Sequence, residues 1–222
     1  MSISGRVALI TGASGALGSA VVPTFHAAGV RVLAVARSPG KDAIAADLAT
    51  DAGARTAVTQ AIAQAGRIDF LMHLMGGWAG GKPVAETDDA TWRSMLAINL
   101  DAAFYVARAV VPHMTKAGSG RIVMIASRTG VEATAGSGAY NVSKAGLIAL
   151  VRTIAAEVKD AGVTANVILP SIIDTPANRA AMPSAKHERW VKPQSIAELA
   201  LWLCSEAAAD VSGAAIPIYA RA

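Results

Sequence analysis

Tyr140 and Lys144 stand four residues apart at the start of an apolar run, Ala145-Gly146-Leu147-Ile148-Ala149-Leu150-Val151. On a helix that spacing puts both side chains on one face, one turn from each other. A phenol with a pKa near ~10 is a poor acid or base at neutral pH, and a neighbouring ammonium favours its phenolate, drawing the pKa toward the working range. Upstream, Arg121-Ile122-Val123-Met124-Ile125-Ala126 reads as a buried parallel strand that Ser127 closes. Strand ends are where such sheets place chemistry. A tyrosine packed under a surface lysine is the bland alternative, and the hydroxyl at the strand end weighs against it. Asn99 lies inside a long apolar helix pattern that opens at Asp88 and ends near Pro112. A buried asparagine must be hydrogen-bonded, for structure alone or to hold a catalytic water.

These groups need a scaffold, and the pattern supplies one. Arg6 to Thr11 is a short apolar run ended by Gly12-Ala13-Ser14-Gly15-Ala16-Leu17-Gly18, after which a helix pattern begins. Strand, glycine turn and helix together let a pyrophosphate approach backbone N–H groups at a helix N-terminus, where the dipole favours negative charge. A second strand, Gly29 to Arg37, follows, and its end should meet the adenosine ribose. An acid there would favour NAD, but the residues are Ala36, Arg37 and Ser38, with Lys41 close behind. Arginine suits a 2′-phosphate, so NADP (NADPH) is expected over NAD (NADH). Ala43 to Leu48 reads as a third strand with little room before it for a crossover helix. Helical spacing runs from Ala57 to Ala65, and Asp69 to Met75 reads as a fourth strand. It leads into Gly76-Gly77-Trp78-Ala79-Gly80-Gly81, where glycines bring backbone close to a ligand and Trp78 offers a flat surface for a substrate. A sixth strand, Thr164 to Pro170, opens onto a proline-punctuated loop from Ser171 to Pro183, the position of a lid. A last helix, Ser195 to Ser205, and a strand, Ala215 to Tyr219, complete one domain over residues 1–222.

Composition narrows the function. At 53% hydrophobic residues and a net charge of +4, the chain is globular, and its Lys and Arg are scattered rather than run together, which argues against nucleic acid. The start of the chain passes straight into a strand without an apolar leader, and no apolar stretch reads as long enough to span a bilayer, so a cytoplasmic protein away from membranes is expected. Cys204 is the only cysteine and sits in a buried-filler pattern. His26, His73, His113 and His187 show no metal-ligand spacing, so no metal is expected.

The chain resembles the short-chain dehydrogenase/reductases. Thr11-Gly12 to Gly18, Asp47-Leu48, Asp69, Asn99, Ser127, Tyr140-x-x-x-Lys144 and Pro170 match that family's markers in order. The resemblance implies an α/β single-domain Rossmann-type fold, a doubly wound parallel sheet with helices on both faces. It implies catalytic roles for Tyr140 as proton donor, Lys144 on the nicotinamide ribose, Ser127 on the substrate and Asn99 on a relay water. It further implies cofactor contacts from Gly12, Ser14, Gly15, Ala16, Leu17, Gly18 and Arg37, then from Asp47, Leu48, Met75, Gly76 and Gly77, and from Tyr140, Lys144, Pro170, Ile172 and Thr175. A homodimer or homotetramer through the helices carrying Asn99 and Tyr140 is implied as well.

Several positions depart from the family pattern: Ala16 replaces a glycine, His73-Leu74-Met75-Gly76 replaces Asn-Asn-Ala-Gly, and Ser171 follows Pro170. The loops at Gly15 to Gly18, Gly76 to Gly81 and Leu169 to Arg179, continuing to Met182-Pro183 and Trp190, are similar to the dihydropteridine reductase branch. That branch reduces quinonoid dihydropterin, which would put Trp78 and Asn178 against the substrate. Ser127 and Arg37 differ from the branch. The leading expectation is therefore an NAD(P)H-dependent reductase of a flat conjugated small molecule. The alternatives are a ketoreductase acting on 3-oxoacyl thioesters or other small carbonyls, and a catalytically silent NADP-sensing protein.

Overall fold

The computed structural model describes residues 3–37 and 43–221, so Ser38 and Lys41 lie outside the described residues. Among the described residues seven strands are seen: β1 (Val7–Thr11), β2 (Arg31–Ala36), β3 (Ala43–Ala45), β4 (Phe70–His73), β5 (Gly120–Ile125), β6 (Val163–Pro170) and β7 (Ala215–Ile218). They form one sheet in the order β3-β2-β1-β4-β5-β6-β7, every pair parallel. The helices are α1 (Gly18–Ala27), α2 (Asp51–Ala65), α3 (Asp89–Leu96), α4 (Ala102–Ala117), α5 (Gly138–Val158), α6 (Pro176–Ala181) and α7 (Pro193–Leu203).

Central strands such as β1 and β6 are buried along their whole length, as parallel strands covered on both faces must be. Successive side chains point to opposite faces. Leu9 and Leu71 join one apolar cluster with residues of α2, α4 and α5, while Ala8, Ile10 and Met72 join a second with residues of α1 and α7. The doubly wound class expected from the sequence is what forms. Its order reverses at β1, where β2 lies on one side and β4 on the other, and such a crevice takes ligands.

Four boundaries differ from the sequence reading, each for a local reason. β3 stops at Ala45 because Asp47 begins a turn: its carboxylate accepts the Ala49 N–H at 3.1 Å and its carbonyl accepts the Thr50 N–H at 3.2 Å. Thr50 then caps α2, accepting the Gly53 N–H, so that helix starts at Asp51 rather than Ala57. β4 ends at His73, two residues before Met75, and the chain beyond it turns to pair with Asn99. α4 continues past Pro112 to a left-handed Gly118. Pro112 and Arg108 are exposed, so the carbonyl deprived of its helical partner faces water.

The helical run Asp89–Ala117, 29 residues, is long and apolar enough to cross a membrane by length and composition, contrary to the sequence expectation. Its inner stripe of Met95, Ala102, Ala103, Val106, Val110 and Met114 is buried within this domain, which makes it a core helix. Residues Ala97–Asp101, between α3 and α4, form a π-helical turn that the pattern did not foretell. Such turns widen a helix by one residue and gather at functional sites.

Candidate active site

A groove of about 490 Å³ opens at the crevice between β2, β1 and β4. Gly12, Ser14 and Gly15 form its floor, Arg37 and the pair Asp47-Leu48 one wall, and Met75 and Gly76 the other. Gly12 has φ +68°, and a Cβ there would meet the Met75 backbone nitrogen at 2.8 Å, so this turn needs glycine twice over. At Gly18 a Cβ would stand 2.2 Å from the Ala13 carbonyl oxygen, which lets α1 begin directly under the turn. The groove, the close backbone and the helix N-terminus fit a dinucleotide. Ala16 and Leu17 lie in the turn without lining the groove, and Leu17 packs into the α1 side of the core.

Asn99 is fully buried in the π-turn. Its Oδ1 accepts the Gly77 N–H at 3.0 Å and its Nδ2 donates to the Gly77 carbonyl at 3.0 Å, so the side chain acts as a short strand for that loop. Both amide atoms are thus committed to backbone. Lys144 is buried one turn beyond Tyr140, its Nζ donating to the Ile125 carbonyl at 2.9 Å and standing 5.8 Å from the Tyr140 ring centre. A Cβ on Gly76 would come within 2.8 Å of Asn99 Oδ1 and 3.1 Å of Lys144 Nζ, so the groove reaches these two groups. Ser127 receives two hydrogen bonds at 3.2 Å, from the Thr129 N–H and hydroxyl, and hydrogen-bonds the Tyr140 phenol. The four expected catalytic residues therefore converge.

Their electrostatics differ from expectation. Burial is the largest influence on Tyr140 and raises its pKa, opposed by the hydrogen bond from Ser127. With burial the larger influence, the phenol lies above its ordinary value although Lys144 stands on the same helix face. Burial also pushes the Lys144 ammonium down to about 8. Beneath them His73, fully buried at the end of β4, is lowered to about 3 by burial and then by the Lys144 charge. Its Nδ1 lies 3.0 Å from the Thr11 hydroxyl, while Nε2 meets no hydrogen-bond partner among the described residues. The sequence reading took this residue as a histidine without metal-ligand spacing and as a departure from the family pattern, and gave it no role in the site, although a polar side chain near the end of an apolar strand was the available signal.

Trp78, expected against a substrate, is 64% exposed, its ring folded beside Gly80. That loop is tied to the one before α5 by the Gly81 N–H donating to the Gly136 carbonyl at 2.7 Å. The segment expected as a lid is held together by its own bonds. Ile173 bridges Val191, Asp174 pairs with Arg179, and the Asn178 amide donates to the Ile173 carbonyl at 2.8 Å. One N–H of the Asn178 amide is thus held by its own segment. Thr175 caps α6, accepting the Asn178 N–H, and Pro170 ends β6; with Ile172 they stand outside the groove lining. Among the described residues no cluster of three metal-ligating side chains occurs.

A family model described as enoyl-(acyl carrier protein) reductase matches residues 2–219. The chain is 34% identical to D-threitol dehydrogenase of Mycolicibacterium smegmatis, over 97% of this chain and 92% of that protein. It is 31% identical to a 3-oxoacyl-(acyl-carrier-protein) reductase of Escherichia coli, over 96% and 95%. The structure of a short-chain type dehydrogenase/reductase from Mycobacterium ulcerans superposes with a TM-score of 0.93 at 27% identity, covering 99% of this chain and 90% of the other.

Proposed function

The chain belongs to the short-chain dehydrogenase/reductase family and is an NAD(P)-dependent oxidoreductase, and from that premise we propose that it interconverts a small carbonyl compound and its alcohol with NADP(H). The observation that carries this reading is the Ser127 hydroxyl on the Tyr140 phenol, with Lys144 one helical turn beyond. When bound in the groove, the nicotinamide supplies a hydride. Ser127 holds the carbonyl oxygen. Tyr140, kept protonated by burial, gives its proton to that oxygen as negative charge grows there. Lys144 as a cation stabilises the phenolate left behind. Asn99 keeps Gly77 in place and so fixes the wall between groove and cleft. Arg37, exposed on the groove wall, supports the choice of NADPH through a 2′-phosphate. The two named relatives act on alcohols or 3-oxoacyl groups by their descriptions, which supports carbonyl chemistry here.

A second reading is a flat conjugated acceptor of the quinonoid dihydropteridine type, favoured by the exposed face of Trp78 beside the cleft. Rates of NADPH and NADH oxidation with a small ketone, a 3-oxoacyl thioester and quinonoid dihydropterin separate the two. Turnover of the carbonyls supports the first; turnover of the pterin alone replaces it. NADPH binding with no reduction of any acceptor would return the chain to the silent sensor. We further infer a homodimer or homotetramer across α4 and α5, supported by Phe104 and Val142, 41% and 47% exposed. A monomer mass in solution would refute that.

A further inference from the structure

Ser127 stands in extended backbone just past β5, and the residues after it close at once into a 3-10 turn, Arg128–Gly130. The Gly130 N–H donates to the Ser127 carbonyl at 3.0 Å, which folds the turn back on the strand end. The same turn rests on the helix that carries the reactive groups: a Cβ on Gly130 would come within 3.0 Å of the Lys144 carbonyl carbon and 2.9 Å of Ile148 Cδ1. The place of Thr129, in the middle of the turn, is therefore set by β5 and by α5 together.

Both donors of Thr129 converge on one oxygen. Its N–H and its hydroxyl each reach Ser127 Oγ at 3.2 Å. A serine hydroxyl has two lone pairs and one proton. With both lone pairs occupied, Ser127 is left to donate, and among the described residues the group that takes its hydrogen bond is the Tyr140 phenol, whose pKa that bond draws down against burial. The bonds thus run one way, from Thr129 to Ser127 and from Ser127 to Tyr140. A donor at the phenol oxygen leaves the phenol's own proton free for an acceptor and stabilises the phenolate once that proton has gone. Without the Thr129 hydroxyl one lone pair of Ser127 opens, and the phenol can turn its proton onto Ser127 instead. At 3.2 Å the hydroxyl pair is longer than the ~2.7–2.8 Å usual for O–H···O, a length that catalytic hydrogen bonds often show before substrate is bound.

We propose that Thr129 is a positioning residue: by filling both lone pairs of Ser127 Oγ it makes that hydroxyl a one-way donor to Tyr140 and to the acceptor oxygen. The inference deepens the reading above and rests on Tyr140 giving its proton to the acceptor. The test is a double-mutant cycle between Thr129→Val, which keeps the shape and the N–H but removes the hydroxyl, and Ser127→Ala. Rates are taken with NADPH and whichever of a carbonyl or quinonoid dihydropterin the wild type reduces. One neutral hydrogen bond implies that Thr129→Val lowers kcat/KM by roughly 2- to 10-fold. In the Ser127→Ala background the same change should leave a ratio of about one. Thr129→Ser, which restores the donor, should stay within about twofold of the wild type. An equal loss in both backgrounds, or a wild-type rate in Thr129→Val, overturns the proposal.

Carbon NMR of protein labelled at tyrosine Cζ reads the same polarity without turnover, the Tyr140 line being the one of three that Tyr140→Phe removes. Thr129→Val should move that line in the direction that Ser127→Ala does, and Thr129→Ser should leave it in place. If no acceptor is reduced while the line responds in this way, the one-way chain stands and the carbonyl reading falls. If the line ignores Thr129→Val, the chain falls whatever the acceptors do.

Discussion

Burial pushes Tyr140 and Lys144 in opposite directions on the pH scale, because in each it favours the neutral form. Tyr140 enters a reduction protonated, as a donor should. Lys144 carries its charge only below about pH 8, so the cation that stabilises the phenolate is lost as pH rises through that value. We expect kcat for reduction to fall with an apparent pKa near 8, and a profile flat to about pH 10 would contradict the role given to Lys144. Stability moves the other way: between about 8 and 10.5 the unfolded chain holds the Lys144 proton that the folded chain has released, so folding gains as pH rises through this window. His73 has its effect at the acid end. Its folded pKa of about 3 lies below the ordinary 6.5, so its contribution is present above 6.5 and is lost as pH falls toward 3. His73→Leu should therefore unfold at a lower pH than the wild type in an acid titration followed by circular dichroism. An unchanged midpoint would mean that another group governs acid unfolding.

The elements matter through their ends. The loop after β4 is held against the π-turn by Asn99, and Gly76 is the place where that loop, Asn99 and Lys144 come closest. Gly76→Ala would press a methyl against both side chains, so we expect kcat to drop by roughly a hundredfold with the thermal midpoint changed little. An active variant would show that the two groups have room to move. The strands and the glycine turn were legible in the sequence because a buried parallel strand is a continuous apolar run, and Gly12 to Gly18 has few other uses after one. Tyr140, Lys144 and Ser127 were legible because they are close in sequence and sit at a strand end or on one helix face. The π-turn was not, since no propensity marks an extra residue in a helix; what stabilises it is the pairing of Asn99 with Gly77, 22 residues away. The Thr11–His73 and Arg128–Tyr219 contacts escaped for the same reason, as each joins strand ends that only the sheet order brings together. The tie of the Asn178 amide to the Ile173 carbonyl was not legible either, since loop similarity says nothing of the hydrogen bonds within the loop.

At the scale of the whole molecule, the reversal of strand order at β1 sets a groove that fits a dinucleotide between β2, β1 and β4. Arg37 is on the far wall of that groove, distant from the chemistry, so it should govern which cofactor is used and not how fast the proton moves. Arg37→Asp should lower the NADPH-to-NADH ratio of kcat/KM by roughly tenfold or more while kcat at saturation stays near that of the wild type. A ratio unmoved by the change would place the 2′-phosphate elsewhere. The account as a whole depends on one proton, the one Tyr140 gives to the acceptor oxygen. The most direct measurement is the rate of NADPH oxidation with a carbonyl acceptor by wild type and Tyr140→Phe, with cofactor affinity measured on the same samples. We expect the variant to bind NADPH as the wild type does and to lose turnover by roughly a hundredfold to ten-thousandfold; a variant that binds NADPH and keeps most of its rate would show that the proton comes from another group.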